Sequence, residues 1–143
     1  MAEYRLIELP VRSDPRGNLV FAQQGDHIPF PVKRIFYIYD VPAGASRAGH
    51  AHRDQHQCLI LLSGSCAVKI DDGTRRSQIA LNSPRIALYV PPLTWLDIES
   101  FSAGSICLVL ASDVYTEADY VRDYREYARL AATGRDGRDA SAS

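Results

Sequence analysis

The chain lacks the features that mark several classes of protein. No apolar run approaches the roughly 20 residues that a membrane-spanning helix requires. The N-terminal residues MAEYRLIELP have neither the basic start nor the long apolar stretch of a secretory signal. Basic residues do not outnumber acidic ones, 16 against 17, which argues against a nucleic-acid surface. We therefore expect a soluble cytoplasmic protein with no membrane or nucleic-acid partner.

Cysteine is scarce, and its spacing excludes the usual thiol sites. The chain has three cysteines, Cys58, Cys66 and Cys107, each within an apolar run and none in a C-x-x-C pair. An odd number of apolar-flanked cysteines indicates buried, reduced thiols. The chain also lacks internal repeats and linkers, so its 143 residues predict one domain.

Short strand-like segments fill the chain up to residue 112. They are rich in β-branched and aromatic residues and are separated by turn residues, as in SDPRG and the Asp72-Gly73 pair. Even spacing of many short strands favours a sandwich or small barrel. The fold class predicted here is all-β, with a C-terminal helix.

The pattern changes at Thr116. Thr116 with Asp119 resembles a capping box, and apolar residues then recur at helical spacing. This predicts an amphipathic helix over 116–132 that packs on a domain spanning 1–132. The polar, Gly-containing residues 133–143 predict a disordered tail.

The stretch RAGHAHRDQHQ, Arg47–Gln57, holds three of the four histidines. Residues two apart on a strand share a face, so His50 and His52 point the same way. The spacing from Gly44 through His50, His52 and Gln57 to Gly64 matches the first cupin motif. A cupin is a jelly-roll barrel, also called a double-stranded β-helix.

The metal ligands of a cupin are incomplete in this sequence. Gln57 stands where the motif has glutamate, and in PPLTWL Leu93 and Leu96 replace the glycine and histidine of the second motif. An amide is a poor ligand for a transition metal, and leucine is none. We therefore expect no metal and no other cofactor. Imidazoles titrate near neutrality, so His50 and His52 instead suit proton transfer.

Beyond this spacing, longer stretches carry a closer likeness to one family. They are DPRGNLV, IPFPVKRIFYIYDVP, RAGHAHRDQHQCLILLSGSCAVKIDDG, SPRIALYVPPLTW, FSAGSICLVLAS and YTEADYVRDYREY. Over roughly residues 5–127 the chain resembles the WxcM-like nucleotide-sugar 3,4-ketoisomerases, which have a cupin fold. The resemblance implies isomerisation of dTDP-4-keto-6-deoxy-D-glucose to a 3-keto sugar, on the way to dTDP-3-amino sugars. It also implies a metal-free homodimer with exchanged N-terminal strands.

The resemblance assigns roles to individual residues. His50 and His52 match the histidine pair, proposed as base and proton shuttle, and we take His52 as the base. Tyr37 matches a pocket tyrosine, and Arg47 matches an arginine before the histidines. Arg16, in DPRG, matches an arginine near the nucleotide. Leu96 departs from the pattern, because some members have histidine there, and this leaves the C4 configuration of the product open.

Several of these residues have alternative roles. Tyr37 could donate a hydrogen bond to an oxyanion or pack on its strand, and Arg47 could bind the diphosphate or remain solvated in a loop. Trp95 and Tyr89 could stack on thymine or fill the barrel. Gln57 is expected to hydrogen-bond to a histidine or a sugar hydroxyl, because an amide does not titrate.

Three other functions compete with a ketoisomerase. A cupin-type nucleotide-sugar 3,5-epimerase would exchange protons without moving the ketone. A metal-dependent dioxygenase would need the missing ligands. A non-catalytic sugar-nucleotide-binding cupin would use the histidines only as hydrogen-bonding groups.

Overall fold

Short strands dominate the computed structural model, which describes the backbone of residues 3–142 and the side chains of residues 3–134. In chain order the elements are β1 (Arg5–Glu8), β2 (Val11–Asp14), β3 (Gly17–Val20), β4 (Arg34–Tyr39), β5 (Arg47–His52), β6 (Gln57–Ser63), β7 (Cys66–Asp71), β8 (Arg76–Leu81), β9 (Ile86–Val90), β10 (Trp95–Glu99), β11 (Ile106–Ala111), a 3₁₀ turn (Glu117–Asp119), β12 (Tyr120–Val121) and α1 (Tyr124–Ala142).

Two five-stranded sheets face each other. The first has the order β1-β9-β6-β11-β4, the second has the order β12-β5-β10-β7-β8, and all their strand pairs are antiparallel. The remaining strands, β2 and β3, form a two-stranded hairpin. The prediction of an all-β cupin fold with a C-terminal helix is confirmed.

Alternation along the strands fills the space between the sheets. Every second residue points inward, so apolar side chains of both sheets meet in one core. Its fully buried members include Leu59, Val68, Leu88, Val90 and Val109. Toward β4 and β5 this packing gives way to a cavity.

Helix α1 packs on the outer face of the second sheet. Asp123 caps its first turn, with Oδ1 accepting from the amides of Arg125 and Glu126. The fully buried Tyr127 donates its hydroxyl to the carbonyl oxygens of Asp71 at 2.7 Å and Leu93 at 3.0 Å. Within residues 3–142, no helix has the length and apolar character needed to cross a membrane.

The predicted helix boundaries are wrong. Thr116 makes no side-chain capping bond, and Tyr120 and Val121 pair as a strand with His52 and Ala51 of β5. Pairing with β5 therefore overrides the local helical pattern up to the cap at Asp123. At the other end, Thr133 is helical and α1 continues to Ala142, past the predicted end at residue 132. Ser143, the last residue of the predicted tail, lies outside the described residues.

Candidate active site

A cavity of about 540 Å³ lies between the two sheets. Inward-facing residues of β4, β5, β6, β10 and β11 form its walls, and the segment between β11 and α1 closes one side. Its lining comprises Arg34, Phe36, Ile38, Ser46, Arg47, Ala48, His50, Gln57, Leu59, Leu96, Ile98, Val109, Tyr115, Tyr120 and Arg122. A cavity of this size, with apolar side chains and convergent polar groups in its walls, has the usual form of a small-molecule site.

The two histidines of β5 differ in their access to this cavity. His50 lines the cavity. His52, two residues further along β5, is only 3% exposed and does not line the cavity. The two rings meet edge to face with centroids 5.0 Å apart. The ring of Tyr120 contacts both, at 4.9 Å from His50 and 4.4 Å from His52. His50 is thus the imidazole that a molecule in the cavity would touch.

Asp119 holds the second histidine in place. His52 Nδ1 lies 2.8 Å from Asp119 Oδ2, and Asp119 Oδ1 accepts from the amide of Asp54 at 2.7 Å. A carboxylate only accepts hydrogen bonds, so the Nδ1 of His52 carries the proton and its Nε2 is unprotonated. The strand pairing of β12 brings Asp119 to this position.

Burial keeps both imidazoles in their neutral forms at neutral pH. Burial lowers the pKa of His50 to about 4, assisted by repulsion from His52 and Arg122. Burial also lowers the pKa of His52, although the hydrogen bond and charge of Asp119 oppose the shift. The Nδ1 atom of His50 is buried without a hydrogen-bond partner. A neutral imidazole can accept a proton, which is what a general base requires.

The cavity is positively charged. Arg34, Arg47 and Arg122 all line it. Arg122 lies 4.4 Å from the centroid of the Tyr120 ring and is paired with Glu117 at 2.8 Å. Guanidinium groups in a pocket of this kind match the oxygens of a phosphate or carboxylate, so the cavity suits an anionic ligand.

Three of the predicted site residues come together in the cavity. His50, Arg47 and Gln57 all line it, from β5 and the start of β6. Gln57 points inward like Leu59, as the strand alternation requires. The motif spacing located His50 and Gln57, and the family resemblance located Arg47, while their chemical roles stay predictions.

Tyr37 does not point into the cavity of its own chain, and its catalytic role stays a prediction. Arg34, Phe36 and Ile38 of β4 line the cavity, and the alternating Tyr37 points outward with 63% of its surface exposed. Phe36, which cannot transfer a proton, takes the inward position beside it.

Trp95 and Tyr89 also lie outside the cavity, each on the outer face of its sheet. Trp95 packs against Tyr124 and Tyr127 of α1, with ring centroids 5.3 and 5.6 Å away. Tyr89 packs beside Phe30 and bonds to His56 Nδ1 at 2.7 Å. Neither ring lines the cavity of this chain, and their contact with a nucleotide base stays a prediction.

Arg16 lies at the tip of the β2–β3 hairpin. Its side chain is 90% exposed and pairs with Asp14 at 2.7 Å. Arg16 does not line the cavity of its own chain. A role near the nucleotide would require the hairpin to meet another chain.

Sequence reasoning missed Arg34, Asp119, Tyr120 and Arg122. Asp119 is 67 residues from His52, so no local spacing could connect them. Arg34 stands two positions before Phe36 and shares its inward face, but β4 has apolar residues on both faces, so its alternation does not identify that face.

The described part of the chain, residues 3–142, contains no group of three or more His, Cys, Asp or Glu residues that could hold a metal ion. His50, Gln57 and Leu96 stand at cupin ligand positions and line the cavity, but an amide is a poor ligand and leucine is none. Activity without a metal or other cofactor stays a prediction.

Comparison with known proteins gives a consistent result. The family model FdtA, described as WxcM-like, C-terminal, matches residues 2–132. The TDP-4-oxo-6-deoxy-alpha-D-glucose-3,4-oxoisomerase of Aneurinibacillus thermoaerophilus is 40% identical over 130 residues, which cover 91% of this chain and 94% of the relative.

Solved structures agree with this. A 3,4-ketoisomerase from Helicobacter canadensis is 39% identical with a TM-score of 0.89, covering 92% of this chain and 99% of that one. The QdtA ketoisomerase from Thermoanaerobacterium thermosaccharolyticum, in complex with TDP, is 36% identical with a TM-score of 0.89, covering 92% and 96%.

The two-sheet barrel and these relatives define a cupin-fold isomerase of the sugar 3,4-ketoisomerase class. The chain belongs to the FdtA family, described as WxcM-like, C-terminal. The resemblance drawn from the sequence is thereby confirmed.

Proposed function

We propose that the protein converts dTDP-4-keto-6-deoxy-D-glucose into a dTDP-3-keto-6-deoxyhexose by histidine acid/base catalysis. The observation that carries this is His50, an imidazole held neutral by burial that faces a cavity lined by arginines. The curated relative is named for the corresponding substrate, and QdtA has been solved with TDP bound. Arg47 and Arg122 supply the positive charge for the diphosphate.

His50 rather than His52 is the base in this proposal, because only His50 of the pair lines the cavity. His50 removes the C3 proton, and the electrons move onto the C4 oxygen to give an enolate. Protonation of that oxygen and loss of the O3 proton pass through an enediol. Return of a proton to C4 leaves the ketone at C3. The oxidation change is internal, so no redox cofactor takes part.

Product analysis tests the proposed function. The purified protein is incubated with dTDP-4-keto-6-deoxy-D-glucose, and a sugar 3-aminotransferase traps the product for NMR. We expect a carbonyl at C3 before trapping and an amine at C3 after it. Both are required if the reaction precedes transamination in dTDP-3-amino sugar synthesis. A changed sugar whose ketone remains at C4 would indicate an epimerase, and an unchanged sugar would indicate a binding protein.

The pKa of His50 predicts an acid-tolerant reaction. A base with a lowered pKa stays neutral until the pH falls to that pKa, so kcat/KM should stay level from pH 8 to about pH 5 and fall near pH 4. Rate measurements across this range, with circular dichroism to confirm folding, check it. A loss centred near pH 6.5 would show an exposed, unperturbed histidine as the base.

We also infer a homodimer from the outer face of the first sheet. Edge strand β4 exposes a row of apolar side chains there: Ile35 (59%), Tyr37 (63%) and Tyr39 (60%). Exposed apolar rows on an edge strand favour contact with another chain. Tyr37 would then serve the dimer rather than the reaction.

The N-terminal hairpin is the element that we propose is exchanged. Strand β1 pairs with β9 of its own chain, whereas β2 and β3 pair only with each other in the described residues. The hairpin exposes Leu19 and Phe21 and carries Arg16 at its tip. Docking of this hairpin on the other subunit would place Arg16 at the partner's cavity. A cytoplasmic location also remains part of this proposal.

A further inference from the structure

A hydrogen-bonded network of polar side chains runs behind the cavity wall, from Asp119 through His52 and Gln55 to Arg34. Asp119 bonds to His52 Nδ1 at 2.8 Å, and Gln55 Nε2 lies 3.4 Å from His52 Nε2. The other end of the same amide, Gln55 Oε1, accepts from an Arg34 NH2 group at 3.2 Å. Both His52 and Gln55 are buried, with exposures of 3% and 2%. Buried polar groups linked in this way hold one another in a single arrangement.

The direction of each hydrogen bond follows from its neighbours. Because His52 donates its Nδ1–H to Asp119, its Nε2 carries no proton and can only accept. The amide NH₂ of Gln55 is the group that donates to Nε2. The Gln55 carbonyl must then face Arg34, whose guanidinium can only donate. The hydrogen-bond directions in this network are therefore consistent only while His52 is neutral with its proton on Nδ1.

Arg34 is the member of this network that lines the cavity. Its guanidinium lies 5.1 Å from the ring centroid of Phe36 and 5.5 Å from that of Tyr115. These contacts, together with Gln55, hold the cation in one orientation. Its Nε atom is buried without a hydrogen-bond partner, so the protein leaves one donor of this group unused.

We propose that Arg34 stabilises the oxyanion that forms on the sugar during the reaction, and that Gln55 is a positioning residue that orients Arg34 and preserves the neutral state of His52. The inference rests on the proposed function, because the oxyanion is the enolate of the ketoisomerase step. A cation held in a fixed orientation stabilises such a charge more than a mobile one does.

The charges around His52 support this arrangement. Asp119 and Asp113 favour the protonated form of His52, while burial and Arg34 oppose it. His50 and Tyr120 contact its ring from the cavity side. Replacing the donor amide of Gln55 by an acceptor would add a second negative group at Nε2 and shift this balance toward imidazolium.

Arg34→Lys tests the oxyanion role. Lysine keeps the charge but loses the planar fork that Gln55 and the aromatic rings orient. We expect kcat to fall by about 10²- to 10³-fold, as for loss of an oxyanion donor, with the KM for the nucleotide sugar changed less than about threefold. Gln78→Met on exposed strand β8 serves as a control and should keep the native rate.

Gln55 is tested by two variants with different chemistry. Gln55→Met preserves the volume and removes both hydrogen bonds, and should lower kcat about tenfold. Gln55→Glu should place protons on both nitrogens of His52, visible in its ¹⁵N shifts at pH 7, where the native protein shows a bare Nε2. A purely structural glutamine would alter thermal stability in both variants without this change in the protonation state of His52.

The outcomes separate this inference from the proposed function. A native protein that leaves the ketone at C4 overturns both. An active native protein whose Arg34→Lys variant is equally active overturns the role of Arg34 alone. If Arg34→Lys does not fold, the Gln55 variants decide. A native kcat in Gln55→Met, or an unprotonated His52 Nε2 in Gln55→Glu, contradicts the proposed network.

Discussion

Replacing His50 by asparagine is expected to lower turnover by about 10²- to 10⁴-fold, the usual cost of losing a positioned general base. Asparagine occupies a similar space and can form hydrogen bonds, but it does not accept a proton at neutral pH. Because His50 lines the cavity without stabilising the main core, folding and affinity for TDP should change little. Steady-state kinetics, calorimetric binding of TDP and circular dichroism measure these three quantities.

His56→Asn is the matched control. His56 belongs to the same sequence stretch but bonds to Tyr89 on the outer face of the first sheet, away from the cavity. This variant should retain turnover within about threefold, even if it costs about 1 kcal/mol of stability through the lost hydrogen bond. Native turnover in His50→Asn, or an equal loss in both variants, would contradict the assignment of His50 as base.

A mixed dimer of two impaired chains is expected to regain activity. Arg16→Gln should lose about 10- to 100-fold in kcat/KM through a missing charge-assisted contact, and His50→Asn should be nearly inactive. If the hairpin of one subunit serves the cavity of the other, a heterodimer holds one cavity with both native residues. Co-expression with two affinity tags, followed by tandem purification, isolates that species.

The expected heterodimer activity is about half that of the native dimer, because one of its two cavities is intact. Arg12→Gln, on the same hairpin and with the same loss of charge, is the control and should not impair turnover. An inactive heterodimer would show that Arg16 acts within its own chain. A fully active Arg16→Gln homodimer would show that Arg16 has no part in the site.

The strand pattern and the cupin spacing predicted the fold and the centre of the site. His50 and Gln57 follow from alternation on short strands, because the inward face of such a strand is specified by its neighbours. Arg47 precedes the histidine pair and reaches the same cavity. Local spacing was sufficient to find His50 and Gln57, whereas Arg47 came from the family resemblance.

The errors come from strands with apolar residues on both faces. In RIFYIY, both faces of β4 carry large apolar residues, so the sequence alone does not show that Phe36 rather than Tyr37 points inward. The outward-facing Tyr89 and Trp95 are covered by Phe30 and by α1, respectively. Tyr89 and Trp95 are thus covered on the outside of the barrel, whereas Tyr37 and Tyr39 on an outer face stay exposed.

Contacts between distant segments account for the remaining differences. The helical pattern after Thr116 is real, but Tyr120 and Val121 are taken up by pairing with β5. That pairing brings Asp119 to His52 and Tyr120 onto both imidazoles. A local propensity cannot reveal a partner 67 residues away.

The most direct test of the account is the reaction of the native protein in heavy water, followed by NMR of the sugar. If His50 removes the C3 proton and its imidazolium exchanges that proton with solvent before C4 is protonated, the product has its carbonyl at C3 and carries deuterium at C4, with none at C5. Deuterium at C5, or an unlabelled sugar whose ketone remains at C4, would contradict proton transfer between C3 and C4 as the function of this cavity.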